Sequence, residues 1–204
     1  LPDLTLSPWV LDRPDRLQVV GPPGIGAMMD HIIMAYGADI DRRINGLEPR
    51  DANRDAYLPE VTETEGGVVY DQDGVRIEAI PITHGDWPFS FAYKVTGPDR
   101  TIVISGDAAP SSPIIDACNG CDLLVHEVYS GERFVTRPPE WQSYHSAFHT
   151  SPTELVDIAT RAGAQKLVLY HQLYWGTDDA GLLAEMRAAG WGGPLHSAVD
   201  LGVY

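Results

Sequence analysis

Four apolar, strand-like runs in this 204-residue chain each end on a side chain that can hold a metal or move a proton. "RIEAIPIT" runs into His84, "TIVISG" into Asp107, "DLLVHE" into Glu127 and "KLVLY" into His171. In a layered α/β protein strand ends gather on one edge of the sheet, and that edge is where ligands bind. Two imidazoles and a carboxylate arriving there suit Zn²⁺ or another borderline metal, which accepts nitrogen and oxygen donors together. His84, Asp107 and His171 are therefore the candidate metal ligands. Ligands so far apart in sequence are a weaker signal than H-E-x-x-H, and a lone strand-end histidine is often only packed or solvated. A further histidine, His149, opens "HTSPTELVDIATRAGAQKLVLYHQ", a helix and strand bracketed by His149 and His171.

The elements that must position these groups can be read from pattern and punctuation. In the bracketed unit Ser151 is a helix N-cap, Pro152 occupies the first turn and Glu154 completes a capping box. Leu155, Val156, Ile158, Ala159 and Ala162 form the buried face, Gly163 ends the helix, and "KLVLY" is a short buried strand. Upstream, "GVVY" and "VRIEAIPIT" flank "DQDG", and "FAYKVT" and "TIVIS" flank "GPDR", two hairpin signatures. Ser112 and Pro113 start a short helix that stops at Gly120. An aromatic-rich loop is expected from Val128 to Phe148, a last helix from Ala180 to Ala189, and then a loop and final strand in "HSAVDLGVY". Near the start, "LQVVGPPG" reads as a strand turning into a helix with Ile25, Met28, Met29, Ile32, Ile33 and Tyr36 on one face and His31 solvated. The "GPPGIG" run lacks the lysine and spacing of a phosphate loop, so a plain strand-to-helix turn is expected. Residues 39–65 read as polar loop, partly helical in "DRRINGLEPRDANRD". No repeat or linker divides the chain, and residues 1–204 are read as a single domain.

Charge and composition exclude several classes. A formal net charge of −15, from 14 basic against 29 acidic residues, is a poor supply for phosphate contacts, so nucleic acid is unlikely as a partner on composition. No apolar run approaches a membrane span, and "LPDLTLSPWVLDRPDR" is not a signal peptide. Cys118 and Cys121 form "CNGC". Such a pair can be a redox site or half a zinc site, but no second pair completes it and it follows a helix rather than opening one. A helix end, a Gly120 turn and a strand start is the plainer reading.

The blocks "PITHGDWPFSFAYKV", "TIVISGDAAPSS", "DLLVHEVY" and "HTSPTELVDIATRAGAQKLVLYHQ", in this order, resemble the later motifs of the metallo-β-lactamase superfamily, in its ribonuclease Z and arylsulfatase-like branch. The resemblance implies an α/β protein of the αββα sandwich type. It implies that His84 binds one zinc, that Asp107 bridges two zincs and that His171 binds the second. Glu127 in "HEVY" and His149 in "HTS" match the pair proposed to protonate the leaving group, with the Glu127 carboxylate expected to orient His149 and keep it protonated. The superfamily's H-x-H-x-D-H is absent from these 204 residues. The expected fold is thus incomplete on its N-terminal side, with the missing half or another copy of the chain as expected partners.

The activity so implied is hydrolysis of a small sulfate or phosphate ester by a zinc-bound hydroxide, with two zinc ions in the complete site. Phe134, Trp141, Tyr144, Phe148, Tyr174, Trp175 and Trp87 flank the proposed ligands, which fits a small-molecule pocket or simple packing of loops on the sheet. His145 is either close behind the site or exposed, whereas His126 and His196 are structural. A ribonuclease Z-like tRNA 3′-processing activity is the alternative. Only 23 positions (107 − 84) separate His84 from Asp107, which leaves no room for the tRNA-gripping arm of the relatives. A non-catalytic fragment of the fold is the third reading, and the compartment stays open between cytoplasm and periplasm or secretion.

Overall fold

The computed structural model describes residues 1–47 and 53–204. The chain divides into two units, Leu1–Glu65 and Gly66–Tyr204.

In the first unit, helix α1 (Pro2–Val10) precedes strand β1 (Gln18–Gly21), helices α2 (Ile25–Ala35) and α3 (Gly37–Asn45) and strand β2 (Glu60–Glu63), which pairs in parallel with β1. Helix α1 was not expected from its proline-rich sequence. Pro2 sits in the first turn, where its missing N–H costs nothing, and Trp9 is wholly buried, with its indole N–H donating to the Asn53 carbonyl at 3.1 Å. Strand β2 replaces part of the expected polar loop, helix α3 supplies the helix expected in its "DRRIN" portion, and residues 48–52 of that segment lie outside the described residues. The "GPPGIG" turn is the plain one expected. Gly24 takes φ +100°, and the amides of Gly24 and Gly26 both donate to Glu63 Oε1, at 2.8 and 3.1 Å. The chain's own carboxylate fills the position a phosphate would need.

The second unit is built on one seven-stranded sheet in the order β3-β4-β5-β6-β7-β8-β9. Its strands are β3 (Gly67–Gln72), β4 (Val75–Pro81), β5 (Phe91–Thr96), β6 (Thr101–Ile104), β7 (Leu123–Tyr129), β8 (Leu167–Leu173) and β9 (Leu195–Ser197). The pairs β3–β4, β4–β5 and β5–β6 are antiparallel, and the pairs from β6 to β9 are parallel. Strand β4 therefore runs in the same direction as β6, β7 and β8. His84 and Asp107 follow β4 and β6, and Glu127 and His171 lie near the C-terminal ends of β7 and β8, so the topology delivers all of them to one edge. Both hairpins fall where the turn residues place them, with Asp73 and Gly74 at φ +54° and +76°.

Helices α4 (Ser112–Cys118), α7 (Pro152–Arg161) and α8 (Asp179–Ala188) pack along one face of this sheet. Leu124, Val128, Leu155, Ile158, Leu167, Leu169, Leu182 and Met186 fill the core between. The capping box of α7 forms as its sequence dictates, Ser151 accepting from the Glu154 amide and the Glu154 carboxylate accepting from the Ser151 amide. The N-cap of α4 is Ser111, one residue before the expected Ser112. Helices α5 (Gly131–Phe134) and α6 (Pro139–Phe148) occupy most of the expected aromatic loop. Pro139 begins α6, and Ser130 caps α5. Past β9 no terminal strand forms among the described residues. At "CNGC" the helix ends at Cys118, Asn119 and Gly120 turn at φ +37° and +86°, and the two buried sulfurs are joined as a disulfide. The backbone is the plain helix–turn–strand, and the cross-link is an addition to it.

His126 lies in β7 opposite Leu169, wholly buried, and its Nδ1–H donates to the Glu127 carbonyl at 2.7 Å. Its Nε2 has no partner among the described residues. Burial lowers its pKa from 6.5 to about 4, only partly opposed by that hydrogen bond. The unfolded chain takes up this proton near pH 6.5 while the folded chain resists it to about pH 4, so stability is full above 6.5 and is lost as pH falls through this window. The expected loss is on the order of 3 kcal/mol. Urea midpoints of the wild type and His126→Leu at pH 7 and pH 4.5 check this: the leucine variant should lose much less.

Candidate active site

Three backbone devices aim the edge residues. Gly106, at φ +66°, turns the chain after β6, and a Cβ there would come within 2.6 Å of the Phe91 carbonyl oxygen. This turn presents Asp107. In β8, Glu127 pairs with Tyr170 and Val128 with Gln172, so His171 is the extra residue of a β-bulge, at φ +44°. Bulges re-aim a side chain out of its strand's alternation, and this one brings His171 Nε2 to 3.4 Å from Asp107 Oδ2, both side chains about two-fifths exposed. His84 is fixed by a third contact, its Nδ1 lying 2.9 Å from the Phe148 carbonyl. A carbonyl only accepts, so Nδ1 carries the proton and Nε2 keeps the lone pair.

Glu127 and His149 form the buried side of the cluster. Glu127 has no exposed surface, and its Oε1 accepts the amides of Thr150 at 2.9 Å and Ala108 at 3.4 Å. Its Oε2 lies 3.4 Å from His149 Nδ1, and neither atom has another partner among the described residues. Thr150 ties the two neighbouring loops by donating its hydroxyl to the Ala108 carbonyl at 2.7 Å. The His149 ring stands 5.5 Å from that of His84 and 5.7 Å from that of His171. The predicted residues thus share one edge: Asp107 pairs with His171, Glu127 with His149, and His149 lies between the rings of His84 and His171.

The protonation of the buried pair differs from the expected carboxylate and imidazolium. Burial pushes the Glu127 carboxyl up to about 9, against the opposing pull of the Ala108 and Thr150 amides. Burial also lowers the pKa of His149, and the Asp107 charge only partly offsets this. The low-dielectric site disfavours two separated charges, so at neutral pH the pair holds a neutral carboxyl beside a neutral imidazole.

As metal donors, His84, Asp107 and His171 have the right chemistry, and the lone pair of His84 and the exposed Asp107–His171 pair are free to accept an ion. Among the described residues no three His, Cys, Asp or Glu side chains converge closely enough to complete a metal centre. The residues present fit part of a coordination shell. Cys118 and Cys121 are spent on each other.

Tyr129 and Arg137, not singled out by sequence, complete the surroundings with Trp175 and His145. Trp175 lies 4.6 Å from His145 and 5.6 Å from Tyr129, and the Arg137 guanidinium sits 5.4 Å from the Trp175 centroid. Stacking among these aromatics packs the loops against one another. Tyr129 and Phe134 stack at 4.8 Å, Tyr174 donates to Asp179 away from the site, and Trp87 and Trp141 remain exposed. Arg137 had no local signal beyond its place before Pro138 and Pro139. His145, left open between two positions, lies behind His149 with ring centroids 5.7 Å apart.

Residues 5–172 match the family described as Beta-lactamase superfamily domain. Ribonuclease Z of Mycobacterium sp. (strain KMS) is 31% identical over 175 residues, covering 85% of this chain and 60% of the relative. Ribonuclease Z of Mycobacterium marinum is also 31% identical, over 84% of this chain and 61% of its own length. The chain thus spans about three-fifths of the relatives it matches. Among solved structures, a metallo-beta-lactamase fold protein from Bacillus subtilis superposes with TM-score 0.63 at 18% identity, over 96% of this chain and 67% of the other. The short form of human tRNase Z superposes with TM-score 0.62 at 17% identity, over 99% and 71%. With its mixed sheet, its helix layer and the motifs of its loaded edge, the chain has the metallo-β-lactamase fold and belongs to the beta-lactamase superfamily.

Proposed function

We propose that this chain supplies the acid side and part of the metal site of a metal-dependent phosphodiesterase of the ribonuclease Z kind. The observation that carries the reading is the buried Glu127–His149 pair set against the Asp107–His171 pair on one sheet edge. The kinship to ribonuclease Z of Mycobacterium supports phosphodiesters as the bonds cleaved and reopens RNA as a substrate, against the expectation from charge.

His84, Asp107 and His171 would hold zinc, which when bound lowers the pKa of water and so supplies hydroxide at neutral pH. The chain's own residues handle the other proton. With Glu127 protonated and facing His149 Nδ1 at 3.4 Å, a proton donated to that lone pair requires the tautomer of His149 that carries its own proton on Nε2. That proton passes to the leaving oxygen while the Glu127 proton moves to Nδ1, so the imidazole stays neutral throughout. Such general-acid assistance contributes about 10²- to 10⁴-fold.

A second reading, hydrolysis of small sulfate or phosphate esters, is favoured by the net charge of −15 and by the single hairpin between His84 and Asp107. Zinc analysis of the purified protein, followed by assays on bis(4-nitrophenyl) phosphate, 4-nitrophenyl sulfate and a precursor tRNA with a 3′ trailer, separates the readings. Zinc-dependent cleavage of the diester and the trailer is expected. Protein that neither retains added zinc nor cleaves any of the three would sink both.

A further inference from the structure

The unpartnered polar atoms of the site extend past His149. Arg137 Nε and His145 Nδ1 are also buried without a hydrogen-bond partner among the described residues. Buried polar groups are satisfied in folded proteins as a rule, and a group of them left open together marks a place for a missing partner. These two are neighbours across Trp175, whose ring lies 4.6 Å from His145 and 5.4 Å from the Arg137 guanidinium.

Arg137 is held in place by its backbone. Its amide donates to the Phe134 carbonyl at 3.0 Å, and its carbonyl accepts from Gln142 Nε2 at 2.7 Å. No ion pair of Arg137 forms among the described residues, although acids outnumber bases 29 to 14 in the chain. A half-buried cation left unpaired is costly. Laid on an aromatic face, a guanidinium keeps its N–H edge free, and that edge matches two oxygens of a phosphate or sulfate. It also sets a cation beside the reacting cluster, where the overall charge would otherwise repel an anionic substrate.

We propose that Arg137, laid over Trp175 beside His145, is the specificity-determining anion contact of this site, taking the non-bridging oxygens of a phosphate or sulfate ester. The proposal rests on the reading of the substrate as such an ester.

The test needs no turnover. The full chain, stripped of metal with EDTA, is titrated with phenyl phosphate, phenyl sulfate and phenol while the indole resonance of Trp175 is followed, assigned from Trp175→Phe. Saturable shifts are expected with the anions and not with phenol, and the tighter of the two anions identifies the source. Arg137→Gln should weaken that binding by about tenfold or more. Arg137→Lys, which keeps the charge and loses the fork, should recover only part. Equal affinity in Arg137→Gln, phenol binding as tightly as the anions, or no saturable shift in the wild type overturns the proposal. If circular dichroism shows Arg137→Gln unfolded, an Arg137→Lys affinity equal to wild type does so instead. Anion binding through Arg137 without any ester hydrolysis would refute the proposed function and leave this subsite standing. Hydrolysis with KM and kcat unchanged in Arg137→Gln would do the reverse.

Discussion

Glu127→Gln is expected to lower kcat for phosphodiester cleavage by about 10²- to 10⁴-fold while the fold and any bound zinc are retained. The amide is close to an isostere. Its oxygen can go on accepting the Thr150 amide, 2.9 Å away in the wild type, and its NH₂ can donate to His149 Nδ1 in place of the carboxyl proton. What it cannot do is give that proton up, so His149 loses its resupply. Glu127→Ala is the poorer test, since it strands the buried Thr150 amide at a cost of about 1–3 kcal/mol. A readout independent of turnover accompanies the loss. The Glu127 carboxyl titrates near 4.5 when unfolded and at about 9 when folded, so between these values the folded chain holds a proton that the unfolded chain has released. Stability is therefore full below 4.5 and falls as pH rises through 9. In Glu127→Gln that alkaline decline should flatten. Urea midpoints at pH 5, 7 and 9 check it, and an unchanged slope would mean that Glu127 is already ionised in the folded protein.

Much of this edge was legible because strand, turn and cap chemistry are local. The capping box at Ser151–Glu154, the two hairpins and the strand-end positions of His84, Asp107, Glu127 and His171 all depend on residues a few places apart. What stayed hidden depends on contacts distant in sequence. Helix α1 is held by Trp9 docking on Asn53, a partner 44 positions away that no period in "PDLTLSPWV" announces. The bulge at His171 appears only when β7 and β8 are set in register, because "KLVLYHQ" alone is a plain strand. Arg137 matters through Trp175, a residue from another loop. The charge state of Glu127 and His149 was misread for the same reason: residue types suggest an ion pair, and burial decides against it. Function is legible at coarser grain. The motifs carry the superfamily, whereas helices α5 and α6, started by Ser130 and Pro139, fall in a segment whose sequence reads as loop.

Gly85→Ala should be among the most damaging small substitutions in the second unit, and the reason joins backbone strain to the site. Gly85 follows His84 at φ +56°, a region where an L residue costs about 1–2 kcal/mol. The methyl group would also stand far inside van der Waals contact with Phe148 Cζ. That ring cannot retreat without loss. Phe148 packs edge-on against His84 at 4.9 Å, its carbonyl holds His84 Nδ1 at 2.9 Å, and the Gly85 amide donates to Ala147 at 2.9 Å. Overpacking of this kind costs about a further 1–3 kcal/mol. A total near 3 kcal/mol corresponds to a fall in Tm of roughly 6–12 °C. Gly74→Ala supplies the comparison, since Gly74 has φ +76° with nothing within 4 Å of an added Cβ, so it carries the strain without the collision. Calorimetry on both variants should show Gly85→Ala losing at least twice what Gly74→Ala loses, and Gly85→Ala/Phe148→Ala should show a smaller loss than the two single substitutions summed. Equal losses in the two glycine variants would mean that Phe148 yields freely, and with it the anchoring of His84 to the end of α6, the helix that delivers His149.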